Sequence, residues 1–331
     1  MISILMPVYN AAPFLADCID SIINQTETNW ELIAVDDIST DKSLSILKYY
    51  EKMDERIHIY QNIKKGIIPA LRLAYAKSKG LMITRMDADD IMASNKLELL
   101  KTALVLSGVG HISTGLVEYF SETKVYNGYK KYEEWINNLT ISENNFEEIY
   151  KECVIPSPCW MIFREDLDYC GAFNPNTYPE DYDLCFRFYQ FDMEVVGVDQ
   201  VIHKWRDHPN RASRTDKNYA DNHFFKLKLA YFLALNYYHS RKIVIWGTGN
   251  TGKELAKELR YFEKPFDWVT NNPKKIGHKI MNVEIESYKK LPMMWQPQIL
   301  VAVSSPEGKA EIQAFFNRHQ YEQNYHYFWM V

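Results

Sequence analysis

Short apolar runs alternate with amphipathic segments from the first residues, and that alternation limits the fold more than any other feature. Ile2–Val8 is apolar at almost every position. Ala12–Gln25 follows, with Leu15, Cys18, Ile19, Ile22 and Ile23 recurring at helical spacing. The pattern predicts a strand over Glu31–Val35, a helix over Asp41–Met53, a strand over Ile57–Gln61 and a helix over Pro69–Lys79. Gly80 stands where a helix C-cap would, and Leu81–Met86 predicts the next strand. Strands separated by single helices imply a parallel, doubly wound α/β sheet. From about residue 120 to 215 the chain is richer in aromatics, Asn and Pro, and mixed helices and antiparallel strands are expected. A helix is predicted over Tyr219–Tyr238.

The α/β rhythm then restarts. Lys242–Trp246 predicts a strand, followed by GTGNTG and a helix over Gly252–Phe262. Strands over Phe266–Val269, Ile299–Val303 and Tyr325–Trp329 and a helix over Glu307–His319 complete a second, smaller unit. A domain boundary is expected near residue 240, giving residues 1–238 and 239–331. The first splits into halves 1–118 and 119–215 and a linking helix, 216–238. With 331 residues and 47% hydrophobic content, both units have enough apolar side chains for a core.

Composition narrows the function. Net charge is −5 with both signs interspersed, which argues against nucleic-acid binding by bulk electrostatics. Five cysteines, none in a CxxC pair, indicate neither a disulfide framework nor a zinc knuckle. The N-terminus lacks a basic leader pattern, and no window approaches the roughly 18 apolar residues of a membrane span. A cytoplasmic protein is the expectation.

In open parallel sheets, ligands bind beyond the carboxyl ends of the strands. Three segments fall there: Pro7-Val8-Tyr9-Asn10, Asp36-Asp37, and Asp87-Ala88-Asp89-Asp90. Like charges this close repel unless a cation or hydrogen-bond donors compensate. Helix capping accounts for one acid per helix, not for doubled acids at two neighbouring strand ends. A negative pocket suited to a divalent cation and sugar hydroxyls is therefore expected. Glu180-Asp181, taken on position alone, reads as a pair favoured by a helix dipole.

The first 215 residues resemble the GT-A-type glycosyltransferases of family 2. The resemblance rests on MPVYN, Gln25-Thr26 with Trp30-Glu31-Leu32, VDDIST-D, KKGIIPAL, Lys79-Gly80, RMDADDI, YPEDYDLCFR and WRDH. It implies a GT-A doubly wound mixed sheet and an inverting enzyme. Such an enzyme moves a sugar from a nucleoside-diphosphate donor, uridine being the commonest base, to a hydroxyl acceptor in glycan or surface-polysaccharide assembly. By resemblance, Pro7, Tyr9, Asn10, Asp36, Asp37 and Gly66 form the base and ribose pocket. Asp87 and Ala88 lie near the donor ribose. Asp89, with His208, holds Mn²⁺ or Mg²⁺, and Asp90 supports them. Asp181 takes the acceptor's proton beside Glu180; Asp183 is the next candidate for that role, or else an acid that faces solvent. Arg72, standing where many relatives have Asn, and Arg211, Ser213 and Arg214 are candidate phosphate contacts. VDDIS replaces the family's usual VDDGS, which predicts a less strained turn. The acceptor is expected to be a glycan or lipid-linked. Peripheral contact with the inner face of a membrane and a homodimer are compatible with this.

In the second unit, Gly247, Gly249 and Gly252 follow a strand and open a helix, as a dinucleotide fingerprint requires. The acid expected at the end of the next strand is missing, and Thr270 stands there. A Rossmann-like accessory domain, with NAD(P) not expected, is therefore the reading. The alternatives are an NAD(P)-linked oxidoreductase or a nucleotide-binding scaffold built on GTGNTG.

Overall fold

The computed structural model describes residues 1–121, 125–209, 211, 214 and 224–331. The chain divides into two compact units, Met1–Phe146 with Val154–Tyr219, and Glu147–Cys153 with Ala220–Val331.

The first unit carries an eight-stranded sheet, β1 Ile2–Val8, β2 Trp30–Asp36, β3 Ile57–Gln61, β4 Met82–Arg85, β5 Ile91–Met92, β6 His111–Phe120, β7 Trp160–Phe163 and β8 Glu194–Arg206. Their order is β3-β2-β1-β4-β7-β6-β8-β5. The first four are parallel, β7 runs antiparallel to both β4 and β6, and β5 pairs antiparallel with β8. The doubly wound expectation thus holds for the N-terminal half, and the reversed β7 makes the sheet mixed. Helices α1 Leu15–Ile23, α2 Ser43–Met53, α3 Ile67–Lys77, α4 Lys96–Ser107, α5 Asn127–Ser142, α6 Arg164–Tyr169 and α7 Glu180–Gln190 accompany it. Leu15, Cys18, Ile19 and Ile22 of α1 are fully buried against the sheet, as their spacing requires.

Gly80 is not the cap of α3. Ser78 ends that helix. A Cβ on Gly80 would lie 2.6 Å from Ser3 Oγ and 2.7 Å from Ser3 N, so a side chain would collide with β1. Buried Glu31 explains the pairing of WEL with Lys79-Gly80. Its Oε1 accepts Ser3 Oγ–H at 2.6 Å and the N–H groups of Lys79 and Gly80 at 2.5 and 3.2 Å.

The second unit has a six-stranded sheet, β9 Ile243–Trp246, β10 Phe266–Thr270, β11 Lys279–Ile280, β12 Val283–Ser287, β13 Gln298–Val301 and β14 Tyr327–Trp329, ordered β11-β12-β10-β9-β13-β14. All its pairs are parallel except the β11–β12 hairpin. The helix predicted over Tyr219–Tyr238 is an α-helix over Phe225–Tyr231 with a π turn over Phe232–Asn236. Residues 219–223 of that prediction lie outside the described residues. At GTGNTG, a Cβ on Gly252 would come within 2.0 Å of the Gly247 carbonyl oxygen, and Trp268 Nε1–H donates to that same oxygen at 2.7 Å. Gly247 and Gly252 therefore let the helix Asn250–Tyr261 start close against the strands, whereas a Cβ on Gly249 would meet nothing within 4 Å.

Candidate active site

Parallel register brings the three singled-out loops to one edge of the first sheet. Val8 pairs with Asp36, Leu5 pairs with Arg85, and Met86 N–H donates to the Leu5 carbonyl at 3.0 Å. On the β1–β2 side, Asn10 adopts a left-handed backbone (φ 49°), and its Oδ1 accepts Thr40 N–H at 2.8 Å. Both Asp37 oxygens accept Gly66 N–H at 2.9 Å, and Asn62 Nδ2 donates to Oδ1 at 2.7 Å. Asn10 and Asp37 therefore use polar atoms to tie loops together. Asp36 is buried, and its Oδ1 finds no partner among the described residues. Tyr9 is 47% exposed, with Lys65 Nζ 3.8 Å from its ring centroid. An aromatic face, a cation and a spare carboxylate oxygen are thus gathered beside the β1 and β2 ends, with Pro7 on the adjoining strand.

The expectation of a relaxed VDDIS turn is corrected. Ile38 has φ 62°, a left-handed conformation that a β-branched residue rarely adopts. Asn10 and Ser39 grip the turn from both sides: Asn10 N–H donates to Ser39 Oγ at 3.1 Å and Ser39 N–H to Asp36 Oδ2 at 3.4 Å.

The acids of the β4 turn have separate surroundings. Asp87 Oδ1 receives Arg85 Nε at 3.2 Å and Arg85 Nη2 at 3.1 Å. Ala88 is buried beside it. Asp89 Oδ2 lies 2.9 Å from His208 Nε2, and Arg206 Nε donates to the Asp89 carbonyl at 2.9 Å. Burial opposes the Asp89 charge, but the His208 hydrogen bond and the Arg211 charge outweigh it and hold the carboxyl below its usual range. His208 packs on Phe14 with ring centroids 4.4 Å apart. Asp90 is fully buried. It accepts Arg206 N–H at 2.8 Å and lies 3.0 Å from His203 Nε2, whose Nδ1 lies 3.2 Å from the buried Lys96 Nζ. Burial, reinforced by the neighbouring Asp89, raises the Asp90 pKa well above the ordinary value. Neither Asp89 nor Asp90 caps α4, whose N-cap residue is Asn95.

Glu180 and Asp181 open α7. Glu180 Oε1 accepts Arg85 Nη1 at 2.9 Å, so one buried guanidinium touches both Asp87 and Glu180. Burial pushes the Glu180 pKa up to about 7, against the pull of Arg85. Burial also raises Asp181, with Arg85 again opposing. The Asp181 side chain is half-buried, and its Oδ1 accepts Tyr182 N–H at 2.8 Å. Asp183 does not face solvent: it is buried and paired with Arg187 at 2.9 Å.

The expected phosphate contacts separate. Arg72 is committed elsewhere: its Nε donates to the Phe173 carbonyl at 2.7 Å and its Nη2 to those of Asn174 and Pro175 at 2.6 and 2.9 Å. It braces the loop that leads to α7. Arg214 pairs with Asp207 at 2.7 Å and lies over Tyr126 and Tyr129. Arg211 lies over Tyr119 and Trp205, and its charge acts on Asp89 and Asp90. Ser213 lies outside the described residues. Gly247, Gly249 and Gly252 belong to the second unit.

The cations of the site were the larger omission of the sequence reading. Arg85 is a charged residue at the end of a buried strand, which is itself a signal that partners await it. Arg206 is also buried, joining the Asp89 carbonyl to Asp17 Oδ2 at 3.0 Å.

The mixed α/β sheet thus carries paired acids at the end of β4, and Arg85 joins them to a second acidic pair on α7. The family model described as glycosyl transferase family 2 matches residues 3–171, and the chain belongs to that family. It is similar to the O-antigen biosynthesis glycosyltransferase WbnJ of Escherichia coli, 31% identical over 202 residues, 56% of this chain and 71% of that protein. Two other curated relatives are covered less fully. The chain spans 39% of one glycosyltransferase from Bacillus subtilis and 31% of one from Streptococcus pneumoniae. Its fold is shared with S. aureus TarS 1-349 in complex with UDP-GlcNAc, at a TM-score of 0.54 and 15% identity over 79% of this chain and 72% of that one. It is shared too with the mannosyltransferase PcManGT from Pyrobaculum calidifontis in complex with GDP-Man and Mn²⁺, at 0.53 and 17% over 78% and 69%. The fold is GT-A.

Proposed function

We propose that this chain is a glycosyltransferase that inverts the anomeric centre of a nucleoside-diphosphate sugar, uridine-linked, as it transfers the sugar to a hydroxyl of a glycan or lipid-linked acceptor in surface-polysaccharide assembly. One observation carries the reading. A single buried guanidinium contacts both Asp87 and Glu180, so the acidic turn and the helix bearing Asp181 share one site. Tyr9, Lys65 and Asp36 supply a stacking face, a charge and an acceptor for the nucleotide. Asp87 takes the ribose.

In the reaction, the acceptor oxygen attacks the anomeric carbon while the bond to the diphosphate oxygen breaks. The diphosphate leaves with the electron pair, and the acceptor's proton passes to Asp181. A carboxylate raised by burial holds that proton better than an exposed one, as a general base near neutral pH requires. Asp89 and His208 fit Mn²⁺ or Mg²⁺: an oxygen and an imidazole nitrogen already converge at 2.9 Å. Among the described residues no group of three or more such ligands forms, so diphosphate oxygens and water would complete the coordination. When bound, the cation stabilises the departing diphosphate as a Lewis acid. Arg211, whose charge already acts on Asp89 and Asp90, is the candidate diphosphate contact in this reading. Residues 239–331 are an accessory domain in this reading. Among the described residues no helix is long and apolar enough to cross a membrane, and the assignment is to the cytoplasm, with lipid-linked acceptors met at the inner membrane face.

The test is a thermal-shift panel of UDP, GDP and their sugars with and without Mn²⁺. A Mn²⁺-dependent shift with one base is expected, and Asp89→Asn should abolish it. Asp181→Asn should keep that shift and lower transfer by about 10²–10⁴-fold, the range for a missing general base. Transfer at the wild-type rate by Asp181→Asn would defeat the base assignment.

A further inference from the structure

We propose that Arg85 is a positioning residue that locks the acidic turn to the base-bearing helix, so that Asp181 stands at a fixed height above the donor sugar. The proposal rests on the functional reading above, in which Arg85 shows only that the acidic turn and α7 share one site. Arg85 is the last residue of β4 and only 5% exposed. Its three nitrogens are divided between two elements. Nε and Nη2 reach Asp87 Oδ1 two residues on, and Nη1 reaches Glu180 Oε1, 95 positions away, at 2.9 Å. A planar fork can make both contacts at once, whereas an ammonium is a single point charge. Buried ion pairs stabilise little beyond well-packed apolar side chains of similar volume. What this one supplies beyond stability is geometry. The loop entering α7 is held by Arg72 on its carbonyls, and the first turn of α7 is held by Arg85. Asp181, one residue after the anchored Glu180, inherits that placement.

The experiment compares Arg85→Met, Arg85→Lys and Arg85→Met/Glu180→Leu in the full chain. Each is measured for Tm, for the Mn²⁺-dependent shift with UDP and GDP, and for kcat and KM of nucleotide release from UDP-N-acetylglucosamine and GDP-mannose. Arg85→Met should lose both Tm and turnover, which alone does not separate placement from folding. The double variant replaces the buried pair by apolar side chains. It should regain Tm while kcat stays about a hundredfold down, the scale of an ångström-sized misplacement, with KM changed by far less. Arg85→Lys should keep Tm better than it keeps kcat. Wild-type turnover in a double variant of restored Tm overturns the proposal. If that variant does not regain Tm, wild-type turnover in Arg85→Lys overturns it, and lowered turnover at intact Tm upholds it. A wild-type chain with no Mn²⁺-dependent shift for either nucleotide defeats the underlying reading instead, and is told apart because it fails before any substitution.

Discussion

Ile38 sits at φ 62° with its side chain 44% exposed, so the strain of a left-handed β-branched residue is not offset by burial. Such a conformation costs roughly 1–2 kcal/mol, and glycine would remove it while adding some backbone entropy to the unfolded chain. Ile38→Gly should therefore stabilise the protein by about 0.5–1 kcal/mol, read as a higher Tm. No change or a fall would show that the turn is held by more than its hydrogen bonds. A second prediction concerns Glu180. Its folded pKa, about 7, lies above the ordinary 4.5 because burial disfavours the charge. Between those values the folded state keeps a proton that the unfolded chain has released. The resulting stability is present in full below the ordinary value and is lost as pH rises through about 7. The Tm of the wild type should carry this fall, and Glu180→Gln should flatten it. An unchanged profile in the variant would assign the dependence to other groups.

Among the elements, what periodicity encodes was legible and what contact encodes was not. The buried stripe of α1 and the strands β1 to β4 follow from apolar spacing alone. Gly80 was misread because a glycine after a helix has the same appearance whether it caps that helix or clears a path for a neighbouring strand; only Ser3, 77 positions back, decides it. The acids of the β4 turn announced a site because doubling is unusual. Their individual tasks depend on Arg85, two residues before Asp87, and on His203, Arg206 and His208, which reach the turn through long-range pairing. Arg72 shows the same limit: from its position in the motif it reads as a phosphate ligand, yet its partners are three carbonyls about a hundred residues on. Arg72→Met should free that loop and destabilise the chain by about 1.5–3 kcal/mol, the worth of hydrogen bonds to a charged group. Turnover should fall further than nucleotide binding. A variant that loses nucleotide binding while keeping its Tm would restore the phosphate role.

At the scale of the molecule, the restart of the α/β pattern after residue 240 foretold a second sheet, but not that Glu147–Cys153 belongs with it. That segment is claimed by partners far along the chain: the Glu147 carbonyl accepts Gln323 Nε2 at 2.6 Å and Asn324 Nδ2 at 3.0 Å, and the Lys151 carbonyl accepts Lys228 Nζ at 2.8 Å. No local pattern carries such information. Every residue assigned to donor binding or proton transfer lies in the first unit, whereas Gly247 and Gly252 of GTGNTG allow close packing in the second. The two can therefore be separated by substitution. A Cβ at Gly252 would stand 2.0 Å from the Gly247 oxygen, and Trp268 Nε1–H already occupies that oxygen. The backbone must move, and overpacking of this kind costs about 1–3 kcal/mol. Gly252→Ala should make the second unit more sensitive to limited proteolysis while leaving the Mn²⁺-dependent nucleotide shift of the first intact. Loss of that shift would mean that donor binding draws on the second unit, and residues 239–331 would then have to be counted part of the catalytic machinery rather than an accessory to it.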